Sequence, residues 1–348
     1  MDILGTTHDQ FVDAFRRRYG HGAHMATPVY RQVMKTGSVS FEGVKAFDRH
    51  PDIARRLADD LVVSAGRIVK QVADEGVVKF VTRLEDEWEI ESVVIPMFRR
   101  QTLCVSSQVG CRMGCRFCRT GRMGLIRNLT PTEVVGQVFA ARHRLGMDVR
   151  NVVFMGMGEP LDNLDNVVQA IRILADQRGI DIARRFITVS TAGLIAGIDR
   201  LAQLDDGPVN LAVSLNAPCD DIRNTIMPVN RSNPMDRLKA ALMRYPRARK
   251  AAFFIEYVLI RGINDQPHHA QALARYLKPL DVKVNLIAYN PSADSELTPP
   301  SAEDFARFRS LLVEEKVFVR PRREKGGRIM AACGQLGGKR SVAPQPEV

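Results

Sequence analysis

Cys111-Arg112-Met113-Gly114-Cys115-Arg116-Phe117-Cys118 places three thiols in the spacing C-x3-C-x2-C. Thiolates so arranged can hold three irons of a [4Fe–4S] cluster and leave the fourth iron open. The amino and carboxylate groups of S-adenosylmethionine can chelate an open iron. An electron from the cluster can then break the sulfonium bond and release a 5′-deoxyadenosyl radical, chemistry that no side chain performs. The same cysteines could instead hold structural zinc or lie buried and inert, so the rest of the chain has to decide.

Downstream, Met155-Gly156-Met157-Gly158-Glu159-Pro160 follows an apolar run and precedes a helical pattern. Glycines there let backbone approach a ligand, and the carboxylate of Glu159 can accept from an ammonium group. The motif sits inside a strand-then-helix rhythm that begins near residue 102. Strands are predicted at 102–107, 151–155, 186–191, 209–215, 252–259 and 282–288, with amphipathic helices at 131–144, 164–176 and 302–315 among those between them. Six βα units predict an α/β fold with a parallel sheet and right-handed crossovers, curled into an incomplete (β/α)6 barrel whose site lies at the C-terminal strand ends. At those ends Ser190, Ser214, Asn216 and Asn290 offer donors and acceptors suited to a ribose, a carboxylate or an adenine edge. Taken singly, each is more often a cap or turn residue. Before the barrel, residues 1–75 read as a helical accessory domain with segments near 8–19, 27–35 and 51–72. Residues 77–83 and 87–95 read as a β-hairpin. Past it, residues 317–348 carry one more short strand, a basic loop with Cys333 and a tail.

At 348 residues the chain can bury a large core, and 50 basic against 39 acidic residues give a net charge of +11. Arginine supplies most of the excess, which makes nucleic acid the leading partner. Arg112, Arg116, Arg119, Arg122 and Arg127 surround the cysteine motif, and Arg320, Arg322, Arg323, Arg328 and Arg340 flank Cys333. No basic, apolar leader opens the sequence and no stretch approaches a membrane span, so a reducing cytoplasm is expected, where clustered cysteines read as metal ligands or redox catalysts. Outside the motif, Cys104 and Cys333 form a candidate pair of nucleophile and resolving thiol, one taking a covalent adduct and the other releasing it through a disulfide. Cys219, on a turn, reads as a small hydrophobe.

The three-cysteine spacing with Phe117 before the last cysteine, and the Gly158-Glu159-Pro160 motif, resemble the radical SAM superfamily. From about residue 77 to 338 the chain resembles, more narrowly, the RlmN/Cfr family of radical SAM RNA methyltransferases. The match lies in Glu91 to Pro96, Thr102 to Cys118, Gly124 to Leu129, Met155 to Pro160, Ile255 to Tyr257, Asn285 to Pro291 and Ala331 to Leu336. That resemblance implies Cys111, Cys115 and Cys118 as ligands of one [4Fe–4S] cluster. It implies S-adenosylmethionine, two per turnover, bound by Gly158, Glu159, Ser190, Ser214, Leu215, Asn216 and Asn290. It implies Cys333 as the thiol that becomes S-methylcysteine, Glu91 as proton acceptor, and Cys104 as the thiol that attacks the protein–RNA thioether. The substrate would be an adenosine of RNA, 23S ribosomal RNA first and transfer RNA second, methylated at C2 rather than C8, with a flavodoxin or ferredoxin as electron donor and a monomeric enzyme. Asn216 stands where the family usually has histidine, and Arg328 and Met330 where acidic residues are common. The domain plan is then 1–75 helical and placed for RNA contact, 76–101 the hairpin carrying Glu91, 102–338 the barrel with its catalytic cysteine loop, and 339–348 a tail. Two rival readings remain: a radical SAM enzyme of another reaction type, and a non-enzymatic basic RNA-binding protein with a zinc site of Cys104, Cys111, Cys115 and Cys118.

Overall fold

The computed structural model describes residues 1–97, 100–248, 251–291, 295–322 and 326–340. Arg323 and the end of the tail lie outside the described residues.

Thr7 opens helix α1 (His8–Tyr19) with a capping box to Gln10, and Gly20 closes it in the left-handed region. Helices α2 (Ala23–Thr36) and α3 (Pro51–Asp60) follow. The sequence pattern carried a helix on to residue 72, but the chain leaves the helix at Leu61. The reason is long-range: Asp2 and Val62 form a parallel bridge, with Val62 N donating to Met1 O at 2.9 Å. The β-branched Val62-Val63 pair is thereby pulled into extended backbone.

Strand β1 (Arg67–Asp74) then starts a sheet with β2 (Val77–Arg83), β3 (Glu89–Met97) and β4 (Arg100–Cys104), all antiparallel. The expected hairpin, β2 and β3, therefore makes the last two strands of a three-stranded ribbon fused to the barrel's first strand, β4. From β4 the order runs through β7 (Val149–Phe154), β8 (Ile187–Thr191), β9 (Asn210–Ser214), β10 (Phe253–Leu259), β11 (Val282–Ala288) and β12 (Val319–Arg322), every pair parallel. The six predicted barrel strands are present, and β12 adds a seventh. Helices α5 (Pro131–Phe139, running on as a π-turn over Ala140–Arg144), α6 (Leu164–Ala175), α7 (Ile195–Ala202), α8 (Asp220–Ile226), α9 (Met235–Arg244), α10 (Pro267–Leu277) and α11 (Ala302–Glu314) make the connections. A short helix α4 (Arg119–Arg122) precedes them.

Strand 102–107 is the second difference. β4 ends at Cys104, with Val105 N making a last bond to Val153 O at 2.9 Å, and Gln108–Cys111 (β5) forms a small hairpin with Gly124–Asn128 (β6) that carries the cysteine loop. Gly110 has φ +75° and a Cβ there would stand 1.9 Å from Gly124 O, so the hairpin closes only with glycine. The core is continuous: Val152, Val189, Leu211, Val213, Ile255 and Leu286 of the barrel belong to one apolar cluster with Phe11, Phe15 and Tyr30 of the N-terminal helices. A second, smaller apolar cluster packs Cys111, Met113 and Cys115 against Ile226, Met227 and Tyr289. The cysteine loop thus rests on α8, and Arg116 N donates to Ile226 O at 3.0 Å.

Candidate active site

The C-terminal strand ends enclose a cavity of about 150 Å³. Its walls contain Cys111, Cys115 and Cys118 from the loop, Gly158 and Glu159 after β7, Ser190 on β8, Ser214 and Asn216 at β9, Asn290 after β11 and Cys333. Residues read from widely separated motifs therefore meet in one space.

Gly158 has φ +101°, and a Cβ would lie 2.6 Å from Gln108 Cβ and 2.7 Å from Gln108 N, so the segment lies flush against the β5 hairpin. Polar residues hidden in that hairpin fix the approach. Gln108 Oε1 accepts from Glu159 N at 2.8 Å while Gln108 Nε2 donates to Asn128 and Asp162, and the amides of Ser107 and Gln108 both donate to Met157 O. Ser106 Oγ accepts from Met157 N and donates to Glu91 O. Ser106, Ser107 and Gln108 are fully buried, and the sequence reading passed over them. Their signal was present as three consecutive polar residues inside an apolar stretch.

Glu159 is buried, with Oε2 accepting from Ala192 N at 2.7 Å and Oε1 from Leu161 N at 3.1 Å. Burial dominates and raises its carboxyl to about 7, since no cation stands beside it among the described residues. A ligand ammonium would supply the missing charge. The folded state therefore favours the protonated acid. That stability is complete below about 4.5 and is lost as pH rises to about 7. Glu159→Gln is accordingly expected to raise the Tm of the ligand-free protein at pH 8 by roughly 2–4 °C and to leave it unchanged at pH 4.5. The same change should weaken S-adenosylmethionine binding at least tenfold. Wild-type affinity should itself decline as pH falls below about 7. Thermal scans and calorimetric titration at the two pH values check this.

Burial is the leading cause that pushes Cys111 up to about 12, Cys115 well above the ordinary thiol range, and Cys118 upward. Cys118 adds to the shift of both its neighbours and Cys111 to that of Cys115, so the three lie within electrostatic reach of one another. Among the described residues no three ligating side chains gather as around a single ion. Three soft donors lining one cavity, with room beside them and a carboxylate suited to an amino group, fit a [4Fe–4S] cluster with its cosubstrate. Binding would release the thiol protons.

The remaining expected residues divide. Ser190 and Ser214 present themselves to the cavity, as does Asn290. Asn216 sits at φ +56°, a conformation asparagine tolerates well. Its Oδ1 accepts from Val258 N at 2.9 Å and its Nδ2 points to Met227 Sδ, so its amide already braces the strand ends. Leu215 is not in the wall: its side chain joins the core, its amide donates to Glu256 O and its carbonyl accepts from Arg223. Glu256, not singled out from sequence, does line the cavity, buried with Asn285 Nδ2 donating to Oε1 at 2.6 Å.

The last stretch of described chain brings Cys333 within electrostatic reach of Cys104 and ties its loop to Glu91. Cys104 is buried at the end of β4, and burial followed by the neighbouring Cys333 thiol pushes it up to about 12. Cys333 is open to the cavity but ringed by protein, which raises its thiol, while the Arg322 guanidinium pulls it down. All six cysteines are free, so the Cys104–Cys333 disulfide is not formed in this structure. Glu91 is buried, and its Oε2 accepts from Gly337 N at 3.0 Å. Thr120 Oγ1 donates to Leu336 O, and Arg119 N donates to Gly334 O at 2.8 Å, tying the same loop to the cysteine motif. Of the arginines there, Arg112 pairs with Asp162, and Arg127 with Asp86 and Glu133, so they serve the scaffold. Arg116, Arg119 and Arg122 are exposed, as are Arg320, Arg322, Arg328 and Arg340 near Cys333.

The radical SAM superfamily model matches residues 105–273. A dual-specificity RNA methyltransferase RlmN of Desulfotalea psychrophila is 42% identical over 97% of this chain and 94% of its own. One of Syntrophotalea carbinolica is 45% identical over 86% of this chain and 82% of its own. The crystal structure of a radical SAM methyltransferase from Sphaerobacter thermophilus superimposes with a TM-score of 0.89 at 38% identity, covering 97% of this chain and 99% of that one. Among the described residues no helix is long and apolar enough to cross a membrane.

Proposed function

The chain belongs to the RlmN family of radical SAM RNA methyltransferases, and we propose that it methylates a ring carbon of adenine in RNA, C2 in preference to C8, through S-methylcysteine at Cys333. The observation that carries this reading is Cys333 in the wall of the cavity that also holds the three-cysteine loop and Glu159, with the Cys104 thiol within its electrostatic reach and Glu91 bonded to Gly337 of the same loop. A radical enzyme of another reaction type would have no use for two further thiols within electrostatic reach of each other at that place.

Superfamily membership implies a [4Fe–4S] cluster and S-adenosylmethionine. Cys111, Cys115 and Cys118 would hold the cluster and Glu159, Gly158, Ser190, Ser214 and Asn290 the cosubstrate. When bound, they supply a methyl group and a carbon radical able to take a hydrogen atom from it. Cys333 accepts the methyl through sulfur, losing its thiol proton, and presents it to the ring. A transferable carrier is needed because the amidine carbon of adenine is electrophilic and does not attack a sulfonium methyl. After the methylene has joined the ring, the adduct radical gives back one electron to the couple that supplied it, and the ring proton passes to a Glu91 carboxylate oxygen. The Cys104 thiolate then attacks Cys333 Sγ: a sulfur–sulfur bond forms, and the carbon–sulfur bond breaks with its electron pair going to the methylene carbon, which takes a proton to become methyl. An external dithiol reduces the disulfide for the next cycle.

In this reading the substrate is 23S ribosomal RNA, with transfer RNA second, and residues 1–75 add RNA contact to the exposed arginines of the rim. Each turnover consumes two molecules of S-adenosylmethionine, a flavodoxin or ferredoxin delivers the electron, and the enzyme works as a cytoplasmic monomer. Mass spectrometry of ribosomal and transfer RNA from a deletion strain and its parent tests the assignment: loss of a single methyladenosine supports it, and identical RNA from both strains refutes it. Arg116→Ala with Arg119→Ala should weaken RNA binding about tenfold and flatten its salt dependence by about two phosphate contacts. The iron content should be unchanged. An affinity indifferent to salt would point to a small-molecule substrate.

A further inference from the structure

Lys79 lies on β2, diagonally across from Glu91 on β3, where the register pairs Lys79 with Val93 and Val81 with Glu91. Its side chain is buried, and Nζ stands 3.1 Å from Glu91 Oε1 and 3.0 Å from Met330 O, to which it donates. The other carboxylate oxygen, Oε2, accepts from Gly337 N at 3.0 Å. Met330 and Gly337 bracket the loop that carries Cys333, so the Lys79–Glu91 pair grips that loop at both ends. A further tie, Glu89 N to Lys339 O at 2.9 Å, continues the same seam.

Burying an ammonium costs several kcal/mol unless it is paired, and apolar packing of the same volume commonly stabilises a fold as well or better. An anchor alone would not require a lysine here. We propose that Lys79 is the positioning residue for the proton-transfer step, holding the Glu91 carboxylate and the Cys333 loop in one frame so that a carboxylate oxygen meets the ring carbon presented at Cys333. This role rests on Glu91 as proton acceptor, proposed above. The proton leaves the ring carbon of the covalent adduct for Glu91. Once the adduct radical has given back one electron to the couple that supplied it, the pair of the broken carbon–hydrogen bond stays in the ring and restores its aromaticity. Lys79 contributes charge and position, and no proton passes through it.

The test compares iron-loaded Lys79→Met, which keeps length and removes charge, with Lys79→Arg and Glu91→Gln. Lys79→Met is expected to retain iron and methyl loading of Cys333 within about twofold, while methylated RNA forms on the order of 100-fold more slowly and RNA–protein adduct accumulates. Deuterium at the reacting ring carbon should slow this variant several-fold further, a signature that a loosened fold does not produce. Lys79→Arg should recover most of the rate. If Lys79→Met turns over like the wild type, loses iron or methyl loading, or shows no isotope effect, the role is overturned. Glu91→Gln separates the two levels: if it stalls while Lys79→Met does not, only the lysine's role fails. If Glu91→Gln turns over normally, the reading of Glu91 fails and the lysine's role with it.

Discussion

Cys333→Ala is expected to leave the fold and the iron content unchanged and to lower RNA methylation by more than about 1,000-fold, the size of effect seen when a covalent nucleophile is removed. Cys333 is exposed to the cavity and makes no packing contribution comparable to a core residue, so the substitution removes a reactive atom and little else. No methyl should be found on the variant protein. Cys104→Ala should behave in the opposite way. Its thiol is buried beside Cys333, and its small volume is nearly preserved by alanine, so methyl loading and attack on RNA should proceed and then stall. The protein should be isolated with RNA covalently attached through Cys333. Mass spectrometry of both variants after a single turnover reads the two outcomes. A Cys333→Ala enzyme that still methylates RNA would refute the carrier, and a freely cycling Cys104→Ala enzyme would refute the resolving thiol.

The second large effect is at the cysteine loop. Cys115→Ala removes the middle of three thiols that line one cavity, and the remaining two cannot hold three irons. Iron content and formation of 5′-deoxyadenosine should fall to background. The fold should survive, because Cys115 belongs to the smaller apolar cluster whose other members on α8 and after it remain in place. Metal analysis of anaerobically purified wild type and variant checks this. Stoichiometric zinc in place of iron and sulfide would instead favour a structural metal site. A Cys115→Ala protein making 5′-deoxyadenosine at the wild-type rate would refute the ligand assignment.

What the sequence determined is what is local in the chain. A C-x3-C-x2-C loop is compact whatever surrounds it, and a glycine–glutamate pair after an apolar run falls at a strand end because period-2 and period-3.6 patterns are set by neighbours a few residues apart. Those patterns located the six barrel strands within about two residues at most of their ends. They failed where distant chain intervened: the helix expected to reach 72 stops at Asp60 because Asp2 pairs with Val62, and the strand expected to reach 107 stops at Cys104 because Ser107 and Gln108 turn their amides to Met157. Cys104 and Cys333 were legible as a candidate thiol pair, Glu91 only through family resemblance, and Lys79 and Gln108 not at all. Only the tertiary fold brings these residues together, for Lys79 meets Met330 across 251 positions and Gly337 meets Glu91 across 246. No periodicity reports on such separations. A buried charge finds its partner through the tertiary fold, because burial makes that pairing necessary.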